Sequence, residues 1–167
     1  MKVRIIIAVL AMALSSVAVA NADEKKTRQE ISDLIKAFRF SIIEKDEEKF
    51  HDLFYDKSIP WISVVADKRT GSLPSQSGVR PGSYVQFISW IVSAEEKVEE
   101  KFWDIEILTD SEIASVHFKY SFHVGDYKSN WGDEAWHLLK TGNGWKISSV
   151  VYSVTSNPEP MPKKSNK

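Results

Sequence analysis

The stretch IASVHFKYSFHV, residues 113–124, decides the fold of this chain. Apolar and polar side chains alternate along it with a period of two, which is typical of a β-strand with one buried and one solvent-facing side. The apolar set is Ala114, Val116, Phe118, Tyr120, Phe122 and Val124, and the polar set is Ser115, His117, Lys119, Ser121 and His123. The sequence therefore predicts a long strand with an aromatic inner face.

Turn residues on both sides of this strand predict an antiparallel meander. The further strands are expected at residues 102–109, near 129–141, and from Trp145 to Val154, joined by turns at 110–112, 125–126 and 141–144. A shorter strand is indicated at Ile59–Val65, where Pro60 favours a sheet edge or the start of a strand. A long loop follows from Asp67 to Arg80.

Three helices are predicted before the meander. Thr27 to Glu30 have the form of a capping box, followed by apolar residues at helical spacing, namely Ile31, Leu34, Ile35, Phe38 and Ile42. Asp46 can cap a second helix, and residues 81–83 open a third. The charged run at 94–101 is interpreted as the solvated end of the third helix. Helices first and strands last indicate the α+β class.

Residues 1–22 have the pattern of a secretory signal. A basic start, an apolar run from Ile5 to Leu14 and an Ala20-Asn21-Ala22 site predict cleavage after Ala22. The apolar run is shorter than the roughly 20 residues of a membrane helix. A retained anchor is the alternative. The sequence contains no Cys, which excludes a lipid-modified cysteine, a disulfide scaffold and a cysteine nucleophile. We expect a periplasmic or secreted protein with no membrane attachment after cleavage.

Composition narrows the functional classes for the remaining chain. The domain is predicted at 23–155, and residues 156–167, rich in Pro and Lys, are predicted to be a disordered tail. The whole chain has a formal charge of −1, which removal of Lys2 and Arg4 makes more negative, so nucleic-acid binding is not expected. Histidines 117 and 123 lie too far apart on one strand to share a metal ion, and we expect neither metal nor cofactor.

Three features in this order resemble the nuclear-transport-factor-2-like (NTF2-like) superfamily, in its SnoaL-like and ketosteroid-isomerase-like branches. They are a helical hairpin with Asp46-x-x-x-Phe50-x-x-Leu53-Phe54, a long third helix, and a closing hairpin with Gly142-Asn143-Gly144-Trp145-Lys146-Ile147. The resemblance covers roughly residues 27–155 and suggests an exported bacterial member. It implies a cone-shaped roll in which a curved antiparallel sheet wraps three N-terminal helices and leaves a pocket on its concave face.

The resemblance also allows a test for catalysis. Ketosteroid isomerases carry a Tyr and two acids at positions that align with Phe38, Ile62 and Trp136 here. Apolar side chains cannot move a proton or stabilise an oxyanion, so this chemistry is not expected. The three positions therefore favour a binding role over an enzymatic one.

A pocket on the concave face is expected to be lined by aromatic side chains and one acid. The predicted lining residues are Phe38, Trp61, Trp90, Phe118, Tyr120, Phe122, Glu134, Trp136 and Leu138. A shift of the hairpin register by one residue would exchange Glu134 for Asp133 and Trp136 for His137. Alternatively, the aromatic residues only fill a core.

Glu134 is the candidate ionisable group, with Tyr120 as the second candidate catalytic residue. A carboxyl group in an aromatic pocket would have a raised pKa, as a general acid or base requires. The alternative places Glu134 on the outer face, paired with His117 or Lys119.

The favoured function is non-catalytic binding of a small apolar ligand or a protein partner by a homodimer that pairs through its outer sheet face. The second hypothesis is a lyase, isomerase or hydrolase that uses Glu134 as acid or base. The third is an interaction module that presents Trp103, Trp131, His117 and His123 to a partner.

Overall fold

Three helices and six strands follow one another along the part of the chain that the computed structural model describes, residues 2–65 and 78–162, with side chains from residue 22 onward. They are α1 (Lys2–Glu44), α2 (Glu47–Asp52), β1 (Trp61–Val65), β2 (Val79–Pro81), α3 (Tyr84–Ser93), β3 (Val98–Thr109), β4 (Ile113–Val124), β5 (Tyr127–Thr141) and β6 (Gly144–Ser156). Most of the loop predicted from Asp67 lies outside the described residues.

All six strands form one sheet in the order β2-β1-β6-β5-β4-β3. The strands β3 to β6 make the predicted antiparallel meander. The α+β class is thereby confirmed. The sheet is mixed rather than purely antiparallel, because β1 runs parallel to β6, with Trp61 opposite Val150. A strand that precedes the meander and joins its far edge has no hairpin to dictate an antiparallel direction.

Helix α1 begins well before the predicted start at Thr27 and continues to Glu44. The capping-box interpretation is therefore wrong: Thr27 lies inside the helix, and its hydroxyl group donates to Ser111 Oγ at 3.4 Å. Residues 21–26 contain no Gly or Pro that would break a helix. The helix therefore continues through Thr27, and no helix N-terminus lies there for the side chain to cap. Asp46, by contrast, is the N-cap of α2, and its carboxylate accepts from the Lys49 amide at 3.0 Å.

Helix α3 is shorter than predicted, and this correction changes the site. It ends at Ser93, where Ala94 takes an extended conformation, and β3 begins at Val98. Val98 pairs with Val124, and Glu100 pairs with Phe122. The run 94–101 is therefore not a solvated helix end, because pairing with β4 draws its second half into the sheet.

The core lies between the inner face of the sheet and the three helices. Its centre is an aromatic cluster around Phe38 of α1, whose ring centroid lies 4.7 Å from that of Trp136 and 4.8 Å from that of Phe50. Phe118 contacts Trp136 edge-on at 4.9 Å. Large buried aromatic side chains contribute most of the hydrophobic stabilisation of such a core.

The chain after β6 follows the surface of the domain up to residue 162. The Asn157 amide donates to the Ser129 carbonyl at 2.9 Å, and the Tyr127 hydroxyl donates to the Glu159 carbonyl at 2.6 Å. The first half of the predicted disordered tail thus has defined contacts, since its polar groups pair with β5. Residues 163–167 lie outside the described residues.

Candidate functional site

A cavity of about 320 Å³ opens beside the aromatic cluster, on the same inner side of the sheet. Its lining residues come from β1, α3, all four strands of the meander and the segment after β6. They are Trp61, Phe87, Trp90, Glu100, Tyr120, Phe122, Val124, Ser129, Asn130, Glu134, Tyr152 and Met161. The volume lies at the lower end of the range of small-molecule sites.

Glu134 of β5 faces this cavity and is only 4% exposed. It pairs with Phe118 across β4, whereas Asp133 and His137 point to the outer face. Its Oε1 accepts a hydrogen bond from the Trp136 indole N–H at 2.5 Å. Burial raises the pKa of Glu134 to about 7, although the Trp136 hydrogen bond opposes the shift.

Glu100 of β3 is a second buried acid in the same cavity, at 5% exposure. Burial raises its pKa well above the ordinary value, and the nearby charge of Glu134 raises it further. Among the described residues, no side chain or backbone group donates a hydrogen bond to the Glu100 carboxyl group. Two carboxyl groups in an apolar site without a cation cannot both be ionised at low cost.

Glu100 was missed in the sequence because it lies in a run rich in Glu and Lys. The alternation of Val98, Glu100 and Phe102 could have indicated it. This alternation extends the period of two of β3 towards the N-terminus, beyond the predicted start at residue 102. Because the composition of the charged run is also compatible with a helix, an alternation over only three residues is difficult to recognise.

Tyr120 of β4 lies between the two acids in the sheet and lines the cavity. Its hydroxyl group donates to the Ser153 carbonyl at 2.9 Å, and burial raises its pKa. Ser153 can come this close because Gly132 lies opposite: a Cβ at that position would be 2.1 Å from the Ser153 carbonyl oxygen. The Tyr120 proton is thus engaged, and only its oxygen can serve a bound molecule, as an acceptor.

The remaining walls are aromatic and reach the surface at one end. Trp61, Phe87 and Tyr152 lie on one side, with ring centroids of Trp61 5.4 Å from Phe87 and 6.0 Å from Tyr152. Burial raises the pKa of the Tyr152 hydroxyl group. Trp90, at 48% exposure, and Met161 form the rim.

Four of the predicted lining residues do not line this cavity. Phe38, Phe118, Trp136 and Leu138 are fully buried in the closed part of the core. They share the inner face with the cavity, but α1 packs over that end of the sheet and fills it. Trp61, Trp90, Tyr120, Phe122 and Glu134 do line the cavity.

The outer-face candidates lie away from the cavity. Trp103 is 41% exposed, and Trp131 is half-buried with the Lys128 ammonium group 4.3 Å from its ring centroid. His123 Nε2 is within 2.9 Å of Ser121 Oγ, and His117 is exposed. Across the described ranges, no group of three His, Asp or Glu side chains could hold a metal ion.

No protein-family model and no curated protein matches this chain. Solved structures do match. A proposed scytalone dehydratase from Novosphingobium aromaticivorans has a TM-score of 0.63 at 12% identity, covering 87% of this chain and 95% of its own. An NTF2-like protein with a cystatin-like fold from the same organism has a TM-score of 0.60 at 11% identity, over 82% and 87%. A proposed dehydratase of the NTF2-like family from Streptomyces avermitilis has 0.55 at 15%, over 78% and 97%.

The chain therefore has the NTF2-like, cystatin-like fold, and the resemblance predicted from the sequence is confirmed at the level of the fold. At these identities the likeness concerns architecture, and a function must be argued from the site. The aligned ketosteroid-isomerase positions remain apolar: Phe38 and Trp136 are buried in the core, and Ile62 lies in β1. The acids of this cavity are Glu100 and Glu134 instead.

Proposed function

We propose that this protein binds a small, mainly apolar molecule in the cavity, with the polar group of that molecule directed at Glu100 and Glu134. The observation that supports this proposal is a pair of buried carboxyl groups in an otherwise aromatic cavity. Apolar walls with a few convergent polar groups are the usual composition of a ligand site.

The energetics of burial support the same role. Each acid loses hydration in the folded chain, and Glu100 receives no hydrogen bond from the described residues in return. A core that served stability alone would be more stable with apolar residues at these two positions. A ligand that contacts the acids would supply the missing partner.

A blocked variant tests binding. Ser129 lines the cavity, so Ser129→Phe would occupy part of its volume, whereas Ser115→Phe places the same ring on the exposed face of β4. In a thermal-shift screen of small aromatic compounds, we expect hits that stabilise the wild type and Ser115→Phe but not Ser129→Phe. Hits that stabilise all three proteins equally, or a complete absence of hits, would contradict the proposal.

The second candidate function is acid–base catalysis of the lyase or isomerase type. It is favoured by the pKa of about 7 at Glu134, because proton transfer is most efficient when the pKa lies near the working pH. Two of the similar structures are named as proposed dehydratases. Glu134 would be the acid or base, and Tyr120 would accept a hydrogen bond from the substrate.

Deuterium incorporation distinguishes catalysis from binding. A panel of cyclic and aryl ketones is incubated with the protein in D₂O, and mass spectrometry records exchange next to the carbonyl group. Catalysis predicts exchange that Glu134→Gln abolishes and that Glu106→Gln, on the exposed face of β3, retains. Exchange at the buffer rate for every ketone would leave binding as the function of the site.

Export and pairing complete the proposal. If residues 1–22 direct export, the protein isolated from the periplasm or medium begins at Asp23, which intact-mass measurement checks. In the described residues, no helix is long and apolar enough to cross a bilayer.

The outer face of the sheet exposes Trp103 and Ile105, which suit an interface between two copies. Sedimentation of the wild type against Trp103→Ala tests that interface.

A further inference from the structure

The geometry of the cavity points to the chemical class of its ligand: we infer that it is an organic cation, an ammonium group attached to an apolar body. This inference rests on the proposed binding function and adds the charge of the ligand to it. Three independent features support it, namely an unpartnered buried carboxyl group, a second acid with a free lone pair, and aromatic walls.

Glu100 is the strongest of these features. Its side chain is 95% buried yet lines the cavity, and the described residues offer it neither a hydrogen-bond donor nor a basic partner. Lys101 follows Glu100 on β3, and Lys128 lies on β5 near the lining residue Ser129. Both lysines are exposed. A buried carboxylate needs a partner of opposite charge, and since the described residues supply none, a cationic ligand would provide it.

Glu134 can receive the same cation. One of its oxygens accepts from the Trp136 indole N–H, which fixes the carboxyl group and leaves the second oxygen for a ligand. An ammonium group with two or three N–H donors can satisfy acids on two strands at once.

The aromatic walls favour a cation over an equally apolar neutral molecule. The faces of Trp, Tyr and Phe rings attract a cation within about 6 Å of the ring centroid. Trp61, Trp90 and Tyr152 all line the cavity. The walls thus attract the positive charge and the acids neutralise it.

Binding of a cation changes the protonation of the titratable groups that line the cavity. The titratable lining residues are Glu100 on β3, Tyr120 on β4, Glu134 on β5 and Tyr152 on β6. The lining residues of β1, of α3 and of the segment after β6 are uncharged: Trp61, Phe87, Trp90 and Met161. Burial favours the protonated form of both acids in the ligand-free site, and an ammonium ion that enters it displaces a proton to the solvent. Where one proton is released, affinity rises about tenfold for each unit by which the pH increases, until the pH reaches the pKa of the site.

Three indole compounds of similar shape test the charge of the ligand. Tryptamine is a cation at neutral pH, tryptophol is neutral and indole-3-acetate is an anion. In isothermal titration at pH 7, we expect tryptamine to bind at least tenfold more tightly than tryptophol and indole-3-acetate to bind most weakly. Titration in two buffers of different ionisation enthalpy should show proton release with tryptamine alone.

A matched pair of variants locates the effect. Glu100→Gln should weaken tryptamine binding at least tenfold, and Glu106→Gln, the same charge change on the exposed face of β3, should leave it unchanged. A cooperative thermal unfolding transition and a wild-type far-UV circular dichroism spectrum show that Glu100→Gln is folded. Equal or tighter binding of tryptophol than tryptamine overturns the cation inference and leaves the pocket as a neutral binding site. Failure of all three compounds overturns the inference as well, and the proposed function falls only if the thermal-shift screen also yields no hit.

Discussion

The inner face of the sheet has two ends that use the same residue types in different ways. At the closed end, rings pack around Phe38 and Trp136 with centroid distances as short as 4.6 Å between Phe102 and Phe118, and buried space is filled. At the open end, the rings of Phe87 and Trp90 lie 5.9 Å and 6.0 Å from Phe122 and surround a cavity. Aromatic content alone therefore does not distinguish a core from a binding site.

The acids make the distinction between the two ends. Glu100 and Glu134 both belong to the open end, and Trp136 marks the boundary by donating its indole N–H to Glu134. A stable core would exclude two carboxyl groups that share no cation. The comparison teaches that the informative feature is a buried polar group with an incomplete set of partners.

The largest effect is expected from removing a ring at the closed end. Phe38→Ala would leave a cavity in a fully packed cluster and lower the free energy of unfolding by about 3–5 kcal/mol. Phe87→Ala, which enlarges a cavity that is already open, should cost about 1–2 kcal/mol. Urea denaturation measures both. Equal costs would show that the two ends are packed alike.

Neutralising an acid at the open end should stabilise the empty protein. A carboxyl group whose pKa is raised by folding contributes stability that is present below its ordinary pKa and is lost as the pH rises through the folded value. For Glu134 this window runs from 4.5 to about 7. We expect Glu100→Gln to raise the free energy of unfolding by about 1–2 kcal/mol at pH 8 and by almost nothing at pH 4.5.

The exposed control on the same strand separates burial from net charge. Glu106→Gln removes one negative charge from the outer face and should show no such pH-dependent gain. A gain of equal size in both variants would mean that overall charge, rather than the cavity, determines the pH dependence of stability.

The smallest effect is expected at the contact that separates the two acids. Tyr120→Phe removes the partly buried hydrogen bond to the Ser153 carbonyl and should cost about 1 kcal/mol, the net contribution of a typical hydrogen bond. If the open end acts as a site, the variant should also change ligand affinity. An unchanged free energy of unfolding would show that water replaces the hydroxyl group.

The sequence predicted the parts of the site that follow local periodicity. The alternation in β4 placed Tyr120 on the inner face, and the turn at Gly142–Gly144 placed the last strand. The sequence left the side of Glu134 open, and its pairing with Phe118 of β4 puts it on the inner face. Periodicity could not say which end of that face is filled, because this depends on where α1 packs. Phe38, Phe118, Trp136 and Leu138 were therefore expected in the pocket and lie in the core.

Long-range pairing explains the other differences. Residues 98–101 have a helix-compatible composition, and only their pairing with β4 makes them a strand and buries Glu100. Strand β2 has three residues, and its pairing with β1 has no local signal. The capping sequence at Thr27 was not used, because the chain before it continues the helix.

The protonation of the two buried acids can be measured by a pH titration of the side-chain carboxyl carbons by ¹³C NMR in the ligand-free protein, with the two signals assigned through Glu100→Gln and Glu134→Gln. Glu100 and Glu134 share the cavity, and no basic side chain among the described residues lines it. Their burial predicts a carboxyl signal that titrates near pH 7 and shifts to the ionised position at that pH when tryptamine is added. Two carboxyl signals that titrate at or below the ordinary pKa of glutamate would contradict it.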